Sequence, residues 1–153
     1  MTNHQRVGAI SNAHAGREFE AEASEYFSRV EGLQLSSSIS VPLGVAGKTK
    51  LHNFDLGIEE PALLVECKSH NWTATGNMPS AKITVWNEAM YYFNLAPQHY
   101  RKVLFVLEAR HPKQTESLAE YYARINGHLI PSDVAIFEYD PKNKSGRYVK
   151  VHG

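Results

Sequence analysis

The segment LHNFDLGIEEPALLVECKSH, residues 51–70, constrains the fold and the chemistry of this chain more than any other part of it. Its apolar and β-branched residues predict two short strands, Leu51–Ile58 and Ala62–Lys68, with a Glu-Glu-Pro turn between them. Glu66 and Lys68 are two residues apart on the second strand, so they point to the same face. A carboxylate and an ammonium group on an apolar strand are costly to bury unless they form a pair or bind a metal ion.

The first strand of this hairpin carries a second carboxylate, Asp55. Strict alternation predicts one face for Asp55 and the opposite face for four other residues, His52, Phe54, Leu56 and Ile58. If the hairpin register brings Asp55 beside Glu66, two carboxylates and a lysine share one small volume. Such a group predicts a site for a hard cation with a positive charge beside it.

A helix is predicted upstream of the hairpin, over Ala13–Glu31. Its apolar residues recur at spacings of three and four and form one stripe: Phe19, Ala23, Tyr26, Phe27 and Val30. Glu20 falls on the border of this stripe, where it can reach inward, whereas Glu18 and Glu25 lie outside it and are expected in solvent. Glu20 is therefore a third candidate ligand.

The remaining periodicity predicts the order α-β-β-β-α-β-α-β. Three consecutive strands followed by helix-crossover strands indicate an α/β fold with a mixed central sheet flanked by helices, an αβββαβ core and an additional αβ unit. The first strand, within Leu33–Val45, is expected at a sheet edge because Pro42 cannot donate to a ladder.

Length and composition limit the class of protein. With 153 residues, one domain over 1–153 is expected, with a flexible lead-in over 1–12 and a basic tail over 141–153. Sixteen basic and 16 acidic residues give zero formal charge, so a nucleic-acid partner requires a local basic patch. The single cysteine excludes an internal disulfide, and no apolar run reaches membrane-spanning length, which together predict a cytoplasmic protein without membrane contact.

The oddly placed polar groups define a possible chemistry. Three carboxylates, Glu20, Asp55 and Glu66, are oxygen ligands of the kind that Mg²⁺ prefers, and Mn²⁺ is expected to substitute for it. Lys68 beside them can steady an attacking water or the negative charge of a pentavalent phosphate. Hydrolysis of a phosphodiester by metal-activated water is the reaction that suits this set.

The same residues resemble the signature of the PD-(D/E)XK, or restriction-endonuclease-like, nucleases. That signature is an acidic residue, a strand and turn, and then E-x-K, and here Asp55, Glu66 and Lys68 match it. Many members add an acidic residue in the first helix in a G-x-x-x-E context, to which Gly16–Glu20 is similar. Phe54 departs from the pattern, because the family often has proline before the first acid.

The resemblance covers roughly residues 16–107 and implies a restriction-endonuclease-like fold and a Mg²⁺-dependent endonuclease acting on DNA in restriction, repair or junction resolution. It implies catalytic Asp55, Glu66 and Lys68, and metal binding by Glu20, Asp55 and Glu66. Nothing in these residues separates DNA from RNA. By analogy with small nucleases that cut two strands, a homodimer is expected.

Four residues are candidates for contact with nucleic acid: Lys48, Lys50, Trp72 and Lys82. The three lysines can meet backbone phosphates, or they can simply be solvated. Trp72 lies in the polar segment after the motif, where it can stack on a base or act as a hydrophobic plug.

Two other readings stay open at this point. The chain can be a catalytically silent nucleic-acid-binding or protein-binding domain on the same fold. It can also be an unrelated α/β domain in which Glu66 and Lys68 form an ordinary same-face pair.

Overall fold

The structure, a computed structural model, describes residues 2–152, and for residues 2–13 it describes the backbone alone. The elements in chain order are α1 (Thr2–Tyr26), β1 (Ser36–Leu43), β2 (Lys50–Ile58), β3 (Leu63–Lys68), α2 (Ser80–Leu95), β4 (Arg101–Leu107), α3 (Leu118–Ile125), β5 (Val134–Asp140) and β6 (Ser145–Val149). Helix α1 thus begins far ahead of the predicted start. The flexible lead-in expected over residues 1–12 stays a prediction, because Met1 and the side chains of residues 2–12 lie outside the described part of the chain.

The six strands form one mixed, open sheet in chain order, β1-β2-β3-β4-β5-β6. The β1–β2, β2–β3 and β5–β6 pairs are antiparallel, whereas β3–β4 and β4–β5 are parallel. Each parallel pair is joined through a helix, as a crossover connection requires. The predicted α/β class and the edge position of the proline-containing strand β1 are confirmed, and the basic tail supplies the opposite edge strand, β6.

Helices cover both faces of the sheet, and each face has its own apolar core. On one face, α2 and α3 pack through residues that include Trp86, Met90, Phe93, Leu118 and Tyr122. On the other face, α1 packs through Phe19, Ala23 and Phe27. Within residues 2–152, the helices all lack the combination of length and apolar character that crossing a bilayer requires.

The end of α1 differs from the prediction. The helix continues as a π-helical turn over Phe27–Glu31 and stops at Gly32, whose φ of 68° is left-handed. The wider π turn rotates the following side chains relative to an α-helix. Val30, which was expected in the buried stripe, is consequently 51% exposed.

Strand β2 also departs from simple alternation. His52 and Phe54 lie on the face covered by α2, but Leu56 and Ile58 pack in the core beneath α1. The prediction that these residues share one face is therefore wrong. The change of face occurs at Asp55, and Ser38, which lies between the β1 partners of Phe54 and Leu56, has a φ of 69°. The regular alternation of side chains in β2 is therefore interrupted at Asp55.

Candidate functional site

The candidate site lies where β2 and β3 separate. Their ladder is short and ends at the pair Leu56–Val65, while β3 continues beside β4 up to Lys68. The last residues of β3 therefore have a strand partner on one side only. On the open side, the Cys67 backbone N–H donates to Asp55 Oδ2 at 2.8 Å, so a side chain replaces the missing strand carbonyl.

Asp55 is the link between carboxyl groups on the two faces of the sheet. Glu20 approaches from α1, and burial followed by the charge of Asp55 and a hydrogen bond with the Asp55 side chain raises its pKa. Glu66 approaches from β3 and is only 6% exposed. Burial, and then the nearby Asp55 charge, raises the pKa of Glu66 to about 8. The inward reach predicted for Glu20 is thus present in the structure.

Lys68 is the positive charge in this group. Its Nζ lies 3.8 Å from Glu66 Oε2, on the same face as the alternation of β3 predicts. The lysine opposes the rise in the pKa of both Glu66 and Glu20, because a nearby cation favours the ionised carboxylates. Burial outweighs the effect of Lys68, so the pKa of each carboxyl group stays raised. An additional positive charge nearby would favour the ionised carboxylates.

His52 flanks the motif strands in the sequence, which leaves open whether it supports the site or only packs, and the structure places it beside Glu66. Its Nε2 lies 3.8 Å from Glu66 Oε1, and both atoms are buried and have no hydrogen-bond partner among the described residues. The ring is held by stacking on Tyr92, with centroids 3.8 Å apart, and burial lowers its pKa. Its position two residues before Phe54 predicts that it shares a face with Phe54. Predicting its distance from Glu66 also requires the register of β2 against β3.

The sequence predicts three carboxylate ligands, which would have to form a cluster of side chains that together bind one metal ion. Among the side chains that the structure describes, those of residues 14–152, no three from His, Cys, Asp or Glu lie close enough together to hold a metal ion jointly. Joint binding of a metal ion by Glu20, Asp55 and Glu66 therefore stays a prediction.

Comparisons of the chain with protein-family models, with curated proteins and with solved structures give no match.

The predicted nucleic-acid lysines lie in two cavities beside the site. Lys48 and Lys50 line a cavity of about 620 Å³ together with His52, the neighbour of Glu66. Lys82 lines a second cavity of about 510 Å³, here called the Lys82 cavity, together with Lys68. Each cavity thus shares a lining residue with the site or with its immediate surroundings.

Trp72 has a different environment. The side chain is 6% exposed, its Nε1–H donates to the Ala109 carbonyl oxygen at 3.0 Å, and its ring packs edge-on against Tyr121. A covered ring with a satisfied N–H is a hydrophobic plug. Stacking of Trp72 on a base is therefore not proposed.

The chemistry that this arrangement can perform follows from its charges. Asp55 lies near Glu20 and near Glu66, and Lys68 Nζ is 3.8 Å from Glu66. Burial raises the pKa of Glu20 and of Glu66, so these two groups hold their protons more tightly than usual. A divalent cation would displace those protons and satisfy the orphaned oxygen of Glu66. Cys67 packs against the α1 core, and burial raises the pKa of its thiol, which opposes a nucleophilic role.

Proposed function

We propose that this chain is a Mg²⁺-dependent nuclease of the restriction-endonuclease-like type that hydrolyses phosphodiester bonds in DNA. The observation that carries the proposal is the position of Asp55 at the point where β2 and β3 separate. Its carboxylate is close to Glu20 on one face of the sheet and to Glu66 on the other, and Lys68 is 3.8 Å from Glu66. An ordinary same-face salt bridge does not require the further carboxylates.

The donor set fits a hard divalent cation. Mg²⁺ is held in proteins by one or two carboxylates and keeps several of its waters, so a group of three close ligands is not needed. Asp55 and Glu66 would be its ligands, because Asp55 faces both other carboxyl groups and Glu66 Oε1 has no partner among the described residues. Glu20 would complete the set through its contact with Asp55. A bound Mg²⁺ supplies a Lewis acid and a more acidic water.

Lys68 would stabilise the negative charge that develops on the phosphate. Its ammonium group is fixed by the strand and by Glu66, so it needs little reorganisation when the charge appears. His52 would orient Glu66 from the other side, since its ring is fixed against Tyr92 and its Nε2 faces Glu66 Oε1. These residues would bind and orient the reacting phosphate.

A nucleic-acid substrate is supported by three lysines, Lys48, Lys50 and Lys82, that line the two cavities beside the site. With zero formal charge overall, contact with a strand depends on such local groups. A homodimer and a cytoplasmic location remain predictions of the same proposal.

The test is cleavage of supercoiled plasmid, linear duplex, single-stranded and four-way-junction DNA with Mg²⁺, Mn²⁺ or EDTA. We expect metal-dependent cutting that falls about 10²–10³-fold in the Asp55→Asn and Lys68→Ala proteins, because each removes a group that acts on the transition state or its ligands. Glu18→Gln is the matched control, since Glu18 is an exposed acid on the same helix as Glu20 and pairs with His14.

Equal cutting by wild type, Asp55→Asn and Lys68→Ala would show that the nuclease activity resides elsewhere or in a contaminant. No cutting of any substrate would favour the catalytically silent binding domain.

A further inference from the structure

The Lys82 cavity, of about 510 Å³, opens at the end of β3, beside the candidate site. Its polar lining includes Lys68, Ser69, His70, Asn71 and Lys82, and it contains no carboxylate among the described residues that line it. A concave surface with two ammonium groups and no acid favours an anion. The cavity therefore differs in charge from the carboxyl cluster next to it.

His70 has a fixed tautomer in this cavity. The Trp86 indole N–H donates to His70 Nδ1 at 2.8 Å, so Nδ1 is an acceptor and the ring proton of the neutral form is on Nε2. Trp86 is fully buried, and Nε2 lies on the opposite side of the ring from that contact. The contact with the indole thus leaves the Nε2–H of this cavity-lining ring as an unused donor.

The charge state of His70 agrees with this geometry. Burial, followed by the charges of Lys82 and Lys68, lowers the pKa of His70 to about 4. Both lysines line the same cavity as the His70 ring. At neutral pH, His70 is therefore an uncharged hydrogen-bond donor in a cavity that two lysines also line.

We infer that the Lys82 cavity binds a phosphate group of a nucleic-acid strand, with His70 Nε2–H and Lys82 Nζ as its donors. The inference deepens the proposed function and rests on it for the identity of the strand. Phosphate oxygens accept from both neutral and charged donors, and Lys68 connects the cavity to the carboxyl cluster. The bound phosphate would be a neighbour of the one that is cut, and His70 would position the strand.

The experiment measures binding in EDTA, so that it is separate from cleavage. The probes are a ten-nucleotide oligothymidine without terminal phosphates, thymidine 5′-monophosphate and inorganic phosphate, each at several salt concentrations. The variants are His70→Ala, His70→Gln and Lys82→Ala. Lys142→Ala is the control, because Lys142 is exposed in the turn between β5 and β6.

We expect His70→Ala to weaken oligonucleotide binding about tenfold without changing its salt dependence, because a neutral donor is lost. His70→Gln should keep binding within about twofold, since its amide nitrogen can take the place of Nε2–H. Lys82→Ala should weaken binding and also reduce the slope of log K against log salt by about 0.7. Lys142→Ala should match wild type.

Several results would overturn the inference: no binding of the oligonucleotide, equal binding by wild type and His70→Ala, or failure of His70→Gln to restore binding in a folded protein. Binding of inorganic phosphate or the mononucleotide without binding of the oligonucleotide would assign the cavity to a free or terminal phosphate, and would overturn its role with an internal one.

The nuclease proposal can fail independently of this inference. If the oligonucleotide binds with the expected pattern but no DNA is cut, the cavity assignment stands and the activity does not. If DNA is cut and the His70 and Lys82 variants bind normally, the activity stands and the cavity assignment does not.

A second measurement does not depend on variants. Spectra that correlate ring ¹⁵N and ¹H of His70 should show the Nε2–H tautomer from pH 5 to 8 and a shift of Nε2, with little change at Nδ1, when the oligonucleotide is added. A protonated Nδ1 or an unaffected Nε2 would contradict the inference.

Discussion

At the scale of single residues, the account depends on carboxyl groups that are buried beside one another. Glu66 is the clearest case, because it is almost fully covered, faces Asp55 and has one oxygen without a hydrogen-bond partner in the described part of the chain. Such a group is tolerated by retaining its proton or by gaining a cation. The free energy of unfolding of the metal-free protein should therefore depend on pH.

The raised pKa of Glu66 predicts that the metal-free protein loses stability as pH rises. Between the ordinary carboxyl value of 4.5 and about 8, the unfolded chain has released the proton that the folded protein still holds. The free energy of unfolding should fall by about 1 kcal/mol per pH unit across this window. Urea unfolding in EDTA from pH 5 to 8 measures this effect.

Glu66→Gln is the control for this prediction, since it removes the titration and keeps the shape. Its unfolding free energy should depend much less on pH than that of wild type. Parallel pH profiles for the two proteins would mean that another group is responsible.

Single residues also show what the sequence could predict about the site. The shared face of Glu66 and Lys68 follows from the period of a strand, and the inward reach of Glu20 follows from its place beside the apolar stripe. The approach of His52 to Glu66 does not follow from either, because it depends on how β2 and β3 separate. Burial of Trp72 depends on packing against α3, which local sequence does not encode.

At the scale of elements, the bounds of the first three strands were largely predictable from the sequence, and their local distortions were not. Hydrophobic periodicity locates the strands within a few residues, since each has an apolar face or is covered on both. The change of face at Asp55 and the π turn at the end of α1 depend on tertiary packing, which hydrophobic periodicity does not predict. Both are close to the residues that form the candidate site or its supporting core.

Gly57 tests the tight packing next to the change of face in β2. A Cβ at this position would lie 2.8 Å from the Leu63 carbonyl oxygen and would also meet Ile39. Gly57→Ala should therefore cost roughly 1–3 kcal/mol of unfolding free energy. Gly16→Ala is the matched control, because no described atom lies within 4 Å of its Cβ, and it should stabilise the helix by about 1 kcal/mol.

Thermal and urea unfolding of the two alanine variants should change in opposite directions. Equal effects would contradict the close approach of β1 and β3 to Gly57.

A buried lysine at the start of β4 gives a second prediction at this scale. Lys102 is 2% exposed, and its Nζ contacts Asp133 Oδ2 at 2.7 Å and the Ala96 carbonyl oxygen at 3.1 Å. Asp133→Asn leaves a buried ammonium group without its counter-charge and should cost about 1–3 kcal/mol, since Asp133 is itself partly solvated. Lys102→Met removes the buried charge and should cost less.

The comparison requires unfolding free energies of both variants and wild type at one pH. A larger loss for Lys102→Met than for Asp133→Asn would show that the lysine contributes mainly through its own contacts and not as a charge that needs a partner.

At the scale of the whole molecule, the sheet lies between two apolar cores, one on each face. The candidate site lies at the point where β2 and β3 separate. Helix α1 supplies Glu20 from one core, and β3 supplies Glu66 from the other side, with Asp55 between them. The order of elements predicted the α/β class, but only the assembled sheet brings these carboxyl groups together. A cation at this point would bind groups from both sides of the sheet.

Binding of Mn²⁺ is the measurement that tests this central claim most directly. Calorimetric titration should give a site in wild type, with release of protons near neutral pH because Glu66 must ionise. Asp55→Asn and Glu66→Gln should weaken binding at least about tenfold, whereas Glu18→Gln should bind as wild type does. Undiminished Mn²⁺ binding by both Asp55→Asn and Glu66→Gln, or no binding by wild type, would contradict the account.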